Sequence, residues 1–430
     1  MAGRDHVRGA TDQSRFGWAI VGACIFSQMI GLGFSVNCFT LFVPGWSSEF
    51  HTRVSELTIA ITTFSMGAAL VTPFIGVAVD KYPARWLFAG AMAGLSIFHF
   101  LMSVAGATWQ MLALYALLLP VVAGFATAVP CQAIISRWFA GGPRLGLALG
   151  IGAMGLQMGG VIFPAAVAAG LPIYGWRTVF QIFAVVILVV MAPLMFLIMR
   201  DPPRRTTVKV TPPTGDDPFA PTIAAPAASA SAAHVPVTTG VILRNANFWK
   251  LIAVFMPIQF AGLAFTLNLA PMLTDRGFEL TAASTILITL SIAALFSKVA
   301  SGMLADRFGF RLPLVGSAMI VAVGIVVISL SGSNLALFTF GSLLIGLGGG
   351  SWPLVASGVA AEFGTAGFGR AFGLIVTVVT FASFAPPIFA CSQEATGSYF
   401  IGLTIMAALI VVGGLTALTL RGQGERMVVR

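Results

Sequence analysis

The chain has 430 residues, of which 58% are hydrophobic and only 9% are charged, and its formal net charge is +9. Soluble domains use roughly 25% charged residues, so this composition excludes a water-soluble protein, which would need more polar surface than these residues supply. The mean hydropathy of +0.96 favours a membrane protein instead. The positive charge does not indicate nucleic-acid binding, because the basic residues lie in short gaps between apolar runs and not along one soluble face.

Taken in chain order, twelve apolar runs reach the length of about 20 residues that a membrane-spanning helix requires. Backbone polar groups within lipid must be hydrogen-bonded inside their own segment, so each run is predicted to be a helix. The first run follows a basic, polar start and is too long for the apolar part of a cleavable signal peptide. The predicted spans lie near 17–43, 55–78, 85–106, 109–136, 144–169, 174–199, 248–273, 282–305, 312–332, 334–361, 369–391 and 398–420.

A polar stretch rich in Pro, Ala, Ser and Thr divides these runs into two groups of six. Such a stretch is typical of a flexible linker rather than of a catalytic site. The predicted fold class is an all-α membrane protein with twelve transmembrane helices in two pseudo-symmetric six-helix bundles. The predicted organisation is an N-terminal tail at 1–16, a first bundle at 17–200, a linker at 201–247, a second bundle at 248–420 and a C-terminal tail at 421–430.

The positions of the 23 Lys and Arg residues predict the orientation of the chain. An even number of spans places both termini on one side of the membrane, and nearly all of the basic residues fall on that side. The exceptions are Arg53, Arg177 and Arg276 in loops of the other side, and Lys298 inside a span. Because cytoplasmic loops are enriched in Lys and Arg, we expect the two tails and the linker in the cytoplasm. The short loops favour the inner membrane of a bacterium.

The same short pattern occurs at equivalent places in the two halves. It reads GVAVDKYPAR between the second and third spans and GMLADRFGFR between the eighth and ninth. The glycine allows a neighbouring helix to approach closely, and the aspartate can meet an Arg or the positive N-terminus of another helix. Such contacts would close one conformation and break in the other, so we predict a gating role for Gly76, Asp80, Arg85, Gly302, Asp306 and Arg311.

This repeated loop resembles the signature of the major facilitator superfamily between its second and third helices. The resemblance covers almost the whole chain, and YGWR at Tyr174–Arg177 resembles the common outer turn before the sixth helix. Arg137 and Glu362, at the ends of the fourth and tenth predicted helices, resemble gating charges of that superfamily. The resemblance implies the major facilitator fold, a central site between two bundles, and alternating access by rocking of the bundles.

Within that superfamily, the chain resembles the monocarboxylate transporter and oxalate–formate antiporter group. The segments that carry this resemblance are RWFAGGPRLGLALGIGAMG, from Arg137 to Gly155, and GWA, from Gly17 to Ala19. Two departures matter. Many members of the group have an Asp where this chain has Ala294, and many have a Lys in the first or eleventh helix, where this chain has none. These departures leave the carrier of a coupled proton unidentified.

Lys298 is the one charged residue that the predicted boundaries place well inside a span. A charge within the membrane is costly and therefore suggests a functional site, and the resemblance implies that a basic residue here contacts the substrate carboxylate. Lys offers a point charge instead of the planar fork of Arg. Two structural explanations remain open: Lys298 could snorkel to the cytoplasmic surface, or it could pair with a backbone carbonyl.

Uncharged polar side chains in the predicted spans could complete a binding site around this lysine. Amides can hydrogen-bond a carboxylate, and a Trp ring can stack on an aromatic substrate. Packing between helices explains each of these side chains about as well. The candidate substrate-binding residues are Lys298, Asn37, Gln157, Asn268, Gln259, Gln28 and Trp352.

The predicted function is secondary active transport of a small organic anion, a monocarboxylate, with proton coupling or exchange. The alternative on the same fold is an exporter of amphiphilic drugs or metabolites. Acidic residues in the cavity would favour cationic drugs, and none is predicted there, which disfavours this class. A non-transporting membrane sensor would need a soluble output module.

Enzyme motifs such as HExxH and GxSxG are absent from the sequence, so we expect no enzymatic activity, cofactor or metal. The expected partners are the anion, a proton and the lipid bilayer, with the protein as a monomer and no nucleic acid bound.

Overall fold

The computed structural model of the protein describes residues 2–202, 238–278 and 280–420. Most of the predicted linker at 201–247 and the predicted C-terminal tail at 421–430 therefore lie outside the described residues. The first helix begins at Ala2, within the segment predicted as the N-terminal tail.

The described chain is almost entirely helical, and the helices that cross the membrane are labelled α1 to α12 in chain order. Helix α1 (Ala2–Gly33) resumes after a turn at 34–38 as Phe39–Phe50. The other helices of the first half are α2 (Val54–Lys81), α3 (Ala84–Val104), α4 (Thr108–Trp138), α5 (145–174) and α6 (176–198). Those of the second half are α7 (Ala246–Thr274), α8 (Leu280–Phe308), α9 (Arg311–Leu330), α10 (Leu335–Phe363), α11 (Phe368–Thr396) and α12 (Phe400–Leu418).

The boundary between α5 and α6 decides the number of crossings. Eleven described stretches are long and apolar enough to span a membrane, and one of them, Leu145–Ile198, has 54 residues. As one straight helix it would be about 80 Å long, more than twice the roughly 30 Å of the hydrocarbon core. Gly175 interrupts it with φ +71° and ψ 161°, a conformation that glycine adopts without a steric penalty. The stretch is therefore two helices, and the prediction of twelve is confirmed.

Alternate crossing puts the turns at 82–83 and 309–310 at the same end of the bundle. We call this end the motif side and the other end the opposite side. Close packing joins the two halves on the motif side, through α2 against α11 and α5 against α8. A Cβ atom on Gly76 would overlap the Gly369 carbonyl, and one on Gly302 would overlap the Gly146 carbonyl. The two halves therefore meet backbone to backbone at these glycines.

Two equivalent helices, α4 and α10, are interrupted within the membrane. Helix α4 breaks at Thr127, with φ −114° and ψ −145°, and α10 breaks at 349–350. A break in lipid is tolerated only where other groups bind the backbone. Serines on neighbouring helices do this here. At the α4 break, Ser27 Oγ donates a hydrogen bond to the Ala126 carbonyl at 2.7 Å. At the α10 break, three serines donate to the interrupted backbone: Ser301 Oγ to the Gly350 carbonyl at 2.7 Å, Ser317 Oγ to the Gly348 carbonyl at 2.6 Å, and Ser297 Oγ to the Leu347 carbonyl.

Candidate functional site

Lys298 lies on α8 at the interface between the two halves, and it is only 5% exposed. Its Nζ donates hydrogen bonds to Gln157 Oε1 at 2.5 Å and to the Ala153 carbonyl at 3.1 Å, both on α5. Burial argues against snorkelling to the surface, whereas the second structural explanation, a bond to a backbone carbonyl, is present. The role of Lys298 in substrate binding stays a prediction.

The electrostatic position of this ammonium group is unusual. Its two acceptors are neutral, and the three ion pairs among the described residues do not include it. Neutral acceptors offset only part of the cost of placing a charge in a medium of low dielectric constant. No carboxylate among the described residues therefore balances an ammonium charge at this position.

The α5 backbone explains why the lysine binds there. A turn at 153–154 interrupts the helix, and the carbonyls beside it are bound from both sides. Gln28 Nε2 of α1 donates to the Gly152 carbonyl at 2.5 Å, and Lys298 of α8 donates to the Ala153 carbonyl. Gln157 lies roughly 18 Å along α5 from Leu145, which places the ammonium near the middle of the membrane.

The other predicted substrate-binding residues make different contacts. Gln28 and Asn268 are buried, and Asn268 Nδ2 donates to the carbonyls of Ala264 at 2.9 Å and Pro386 at 3.2 Å, so it joins α7 to α11. Trp352 is half-buried, with its ring edge-on to Phe255 and Phe372 at centroid distances of 5.0 and 6.1 Å. Asn37 is exposed in the turn that interrupts α1, and Gln259 is partly buried on α7. Among the predicted substrate-binding residues, the hydrogen bonds of the described part of the chain therefore bring together one pair, Lys298 and Gln157.

Both motif aspartates contact the N-terminus of a helix in the other half, as their sequence context predicts. Asp80 accepts hydrogen bonds from the backbone N–H groups of Gly369 at 3.0 Å and Arg370 at 2.8 Å, at the start of α11. Asp306 accepts equivalent bonds from Gly146 at 2.5 Å and Leu147 at 2.8 Å, at the start of α5. The carboxylates satisfy unpaired N–H groups and the positive helix end together. Their role as a gate stays a prediction.

Arg137 supports Asp80 from within the first half. Its Nη2 donates to the Val79 carbonyl at 2.6 Å and lies 3.4 Å from Asp80 Oδ1, while its Nη1 donates to Asp201 Oδ1 at 3.1 Å. Arg85 is exposed at the start of α3. The sequence did not indicate Asp201, because it lies at the edge of the polar linker.

Glu362 has the corresponding position in the second half. Its carboxylate accepts hydrogen bonds from Asn245 Nδ2 at 2.8 Å and Asn247 Nδ2 at 2.9 Å, and so ties the end of α10 to the start of α7. Arg311 is partly buried at the start of α9. Four of the predicted gating residues, Asp80, Asp306, Arg137 and Glu362, therefore bind neighbouring elements on the motif side.

The fold and the motif contacts can be compared with known proteins. The sequence model of the Major Facilitator Superfamily matches residues 25–387. The chain belongs to this superfamily. A relative from Bacillus subtilis (strain 168), the uncharacterized MFS-type transporter YcxA, is 25% identical over 179 residues, which are 41% of this chain and 43% of that protein. The match thus spans less than half of the bacterial relative. The MFS transporter asaE of Aspergillus flavus is 22% identical over 96% of this chain and 89% of its own length.

Solved structures show the same superfamily fold. The human organic anion transporter MFSD10 has a TM-score of 0.68 at 14% identity, with 94% of this chain and 99% of that chain covered. The transporter FucP in its outward conformation has a TM-score of 0.68 at 12% identity, with 92% and 97% covered. The proton:xylose symporter XylE has a TM-score of 0.66 at 12% identity, with 95% and 97% covered. At these identities the likeness shows the fold alone. Proteins of this superfamily are membrane transporters of small molecules.

Proposed function

We propose that this protein is a secondary active transporter that moves a small organic anion, a monocarboxylate, across the bacterial inner membrane by alternating access. One observation carries the proposal. The Lys298 ammonium is buried between α5 and α8, and both of its hydrogen-bond partners are neutral oxygens. An anion that enters the site supplies the charge that no carboxylate of the described residues provides, and this favours anions over neutral or cationic solutes.

The number of donors in the site favours one carboxylate over two. An ammonium group has three N–H donors, and the Gln157 amide that accepts from Lys298 also carries two N–H donors of its own. One carboxylate can therefore bind the ammonium and the amide together. A second carboxylate on the same solute would need another buried cation, and among the described residues Lys298 is the one buried Lys or Arg side chain.

Binding and alternation are linked through the same lysine. An incoming carboxylate competes with Gln157 Oε1 and the Ala153 carbonyl for the Nζ of Lys298. Each bond that Lys298 gives up removes a connection between α5 and α8, and so weakens the closed interface between the halves. Opening the motif side then requires Asp80 and Asp306 to leave the helix N-termini that they cap. The excess of Lys and Arg on the motif side favours a cytoplasmic location for it.

Uptake into proteoliposomes tests the proposal. Vesicles that contain the full chain would be given radiolabelled short-chain monocarboxylates, with dicarboxylates of matched length and a lipophilic cation as comparisons. We expect saturable uptake of a monocarboxylate and its loss in Lys298→Ala. Lys250→Ala is the matched control, because Lys250 lies on the surface near the start of α7, where its Nζ donates to the Thr419 carbonyl at 2.8 Å.

The same vesicles separate the two forms of coupling. A proton-coupled carrier accumulates the acid when only a pH gradient is imposed, whereas an exchanger needs an anion on the inner side. Equal uptake by Lys298→Ala and the unaltered protein would refute the anchor role. Transport of the lipophilic cation alone would favour the drug-exporter alternative.

A further inference from the structure

The two copies of the repeated loop hold the same pair of side chains on the surface. The Nζ of Lys81 lies 5.6 Å from the centroid of the Tyr82 ring, and Cζ of Arg307 lies 5.2 Å from that of Phe308. Tyr82 is 52% exposed and Phe308 is 54% exposed. A cation beside an exposed aromatic ring thus recurs in the two halves, where chance would not repeat it.

Within the described part of the chain these cations have no acidic partner, and the packing of the motif explains why. Each one directly follows an aspartate in the sequence, but Asp80 and Asp306 turn toward the other half and cap α11 and α5. The ion pairs of the described residues include neither Lys81 nor Arg307. The motif therefore directs its negative charge into the interface and leaves its positive charge on the outside.

Both pairs lie where a membrane-spanning helix ends, and each is followed by a second basic residue and a second exposed apolar one. Arg85 and Trp86 follow the first pair, and Arg311 and Leu312 follow the second. Trp86 is 63% exposed and Leu312 is 62% exposed. Basic and aromatic side chains at helix ends lie at the level of the lipid headgroups, where a long basic side chain also reaches toward phosphate.

We propose that each of these two surfaces binds the headgroup of an anionic phospholipid. The first basic–aromatic patch consists of Lys81, Tyr82, Arg85 and Trp86, and the second consists of Arg307, Phe308, Arg311 and Leu312. The cations bind the phosphate and the anionic headgroup, and the apolar side chains contact the first part of the acyl chains. A lipid that holds Lys81 or Arg307 outward also keeps the preceding aspartate available for the helix that it caps.

Native mass spectrometry of the purified full chain tests the proposal. The protein would be titrated with phosphatidylglycerol and, separately, with phosphatidylcholine of the same acyl chains. We expect two phosphatidylglycerol molecules to be retained preferentially, one for each patch. Lys81→Gln and Arg307→Gln should each weaken one of these sites by about fivefold, which corresponds to the attraction of one basic side chain to an anionic membrane. Binding of phosphatidylcholine should not change.

Arg53→Gln is the matched control, because it removes one exposed cation from the opposite side of the molecule. The proposal is overturned if this control lowers phosphatidylglycerol retention as much as Lys81→Gln, or if the double variant Lys81→Gln/Arg307→Gln retains as much as the unaltered chain. It is also overturned if millimolar inorganic phosphate displaces the lipid completely, since the patches would then bind free anions. Thermal unfolding in phosphatidylcholine checks that every variant is folded.

Discussion

The contact between Lys298 and Gln157 allows a single substitution to test whether Lys298 binds the anion or only joins α8 to α5. The ammonium binds two oxygens of α5 at 2.5 and 3.1 Å, and neither oxygen has a formal charge. A substrate carboxylate is a stronger acceptor for an ammonium group than an amide oxygen is. The exchange of one acceptor for the other can therefore be favourable, although the lysine already donates two hydrogen bonds before the substrate arrives.

Gln157→Glu should abolish anion uptake. The new carboxylate would form an ion pair with Lys298 and supply the counter-charge permanently, so an incoming anion would meet a neutralised site. Gln157→Leu is the matched control: it also removes the amide but adds no charge. It should keep anion uptake, because the loss of an acceptor that competes for Lys298 offsets the loss of the amide donor to the carboxylate. Uptake kinetics and thermal shifts by the substrate measure both effects. Loss of uptake in both variants would show that the added charge is not the cause.

A second contact at the residue scale fixes the opposite side of the first half. Arg177 donates to Glu49 Oε1 at 2.7 Å and to the carbonyls of Ser103 and Ala105 at 2.6 and 2.8 Å, near the end of α3. Trp176 Nε1 donates to Glu49 Oε2 at 2.7 Å. The guanidinium thus binds the negative end of a helix and a carboxylate together. The YGWR segment indicated Arg177, but its partner Glu49 lies too far away in the chain for the sequence to indicate it.

Stability should depend on pH through Glu49. Burial favours its neutral form, but the hydrogen bonds from Arg177 and Trp176 outweigh burial and lower the pKa of Glu49 below its ordinary value of 4.5. The contact therefore stabilises the fold fully above pH 4.5 and loses its effect as the pH falls through the lower, folded-state pKa. Because the pair is exposed, we expect a decrease of only about 1–2 °C in Tm. Thermal unfolding would be measured as the pH falls below 4.5. The decrease in Tm should be absent in Glu49→Gln and present in the control Glu56→Gln.

At the scale of the helices, the sequence predicted where most of the spans lie but not where they break or which helices they contact. Hydropathy predicted eleven of the twelve spans to within about five residues, because lipid imposes a long apolar run on each helix. The first helix instead begins at Ala2, well before the predicted start at 17. It did not predict the breaks at Thr127, at 153–154 and at 349–350. These depend on side chains of other helices, such as Ser27 and Ser301, that bind the interrupted backbone. The G-x-x-x-D spacing predicted an Arg or a helix N-terminus as the partner of each aspartate but could not identify which helix.

Gly302→Ala should prevent the motif side from closing. The added Cβ would overlap the Gly146 carbonyl, and α5 and α8 would have to separate along their whole contact, which includes the bonds of Lys298. Each bundle can still fold, because the collision lies between the halves. The matched control is Gly316→Ala on α9, where a Cβ has open space. A cysteine would be introduced on the motif side at a position that the closed interface buries. We expect its labelling to increase and uptake to fall in Gly302→Ala alone. Unchanged labelling would contradict the packing argument.

At the scale of the whole molecule, the two interfaces between the halves are equivalent in topology, but their aspartates are unequally buried. The α2–α11 interface has Asp80, whose side chain is only 10% exposed and which also contacts Arg137. The α5–α8 interface has Asp306, which is exposed, and it contains Lys298. The more exposed aspartate therefore lies in the same interface as the proposed anion site.

This inequality predicts different effects of the two aspartates on the conformational equilibrium. Asp80→Asn removes a buried charge that two backbone N–H groups and Arg137 stabilise, and it should shift the closed–open equilibrium of the motif side by about tenfold or more. Asp306→Asn removes an exposed charge from a helix N-terminus and should shift it by about threefold. Spin labels at Tyr82 and Phe308, in a Cys391→Ser background that removes the exposed cysteine, report the distance between the halves. A larger shift in Asp306→Asn than in Asp80→Asn would contradict the argument from burial. Unchanged distances in both variants would show that neither aspartate holds the motif side closed.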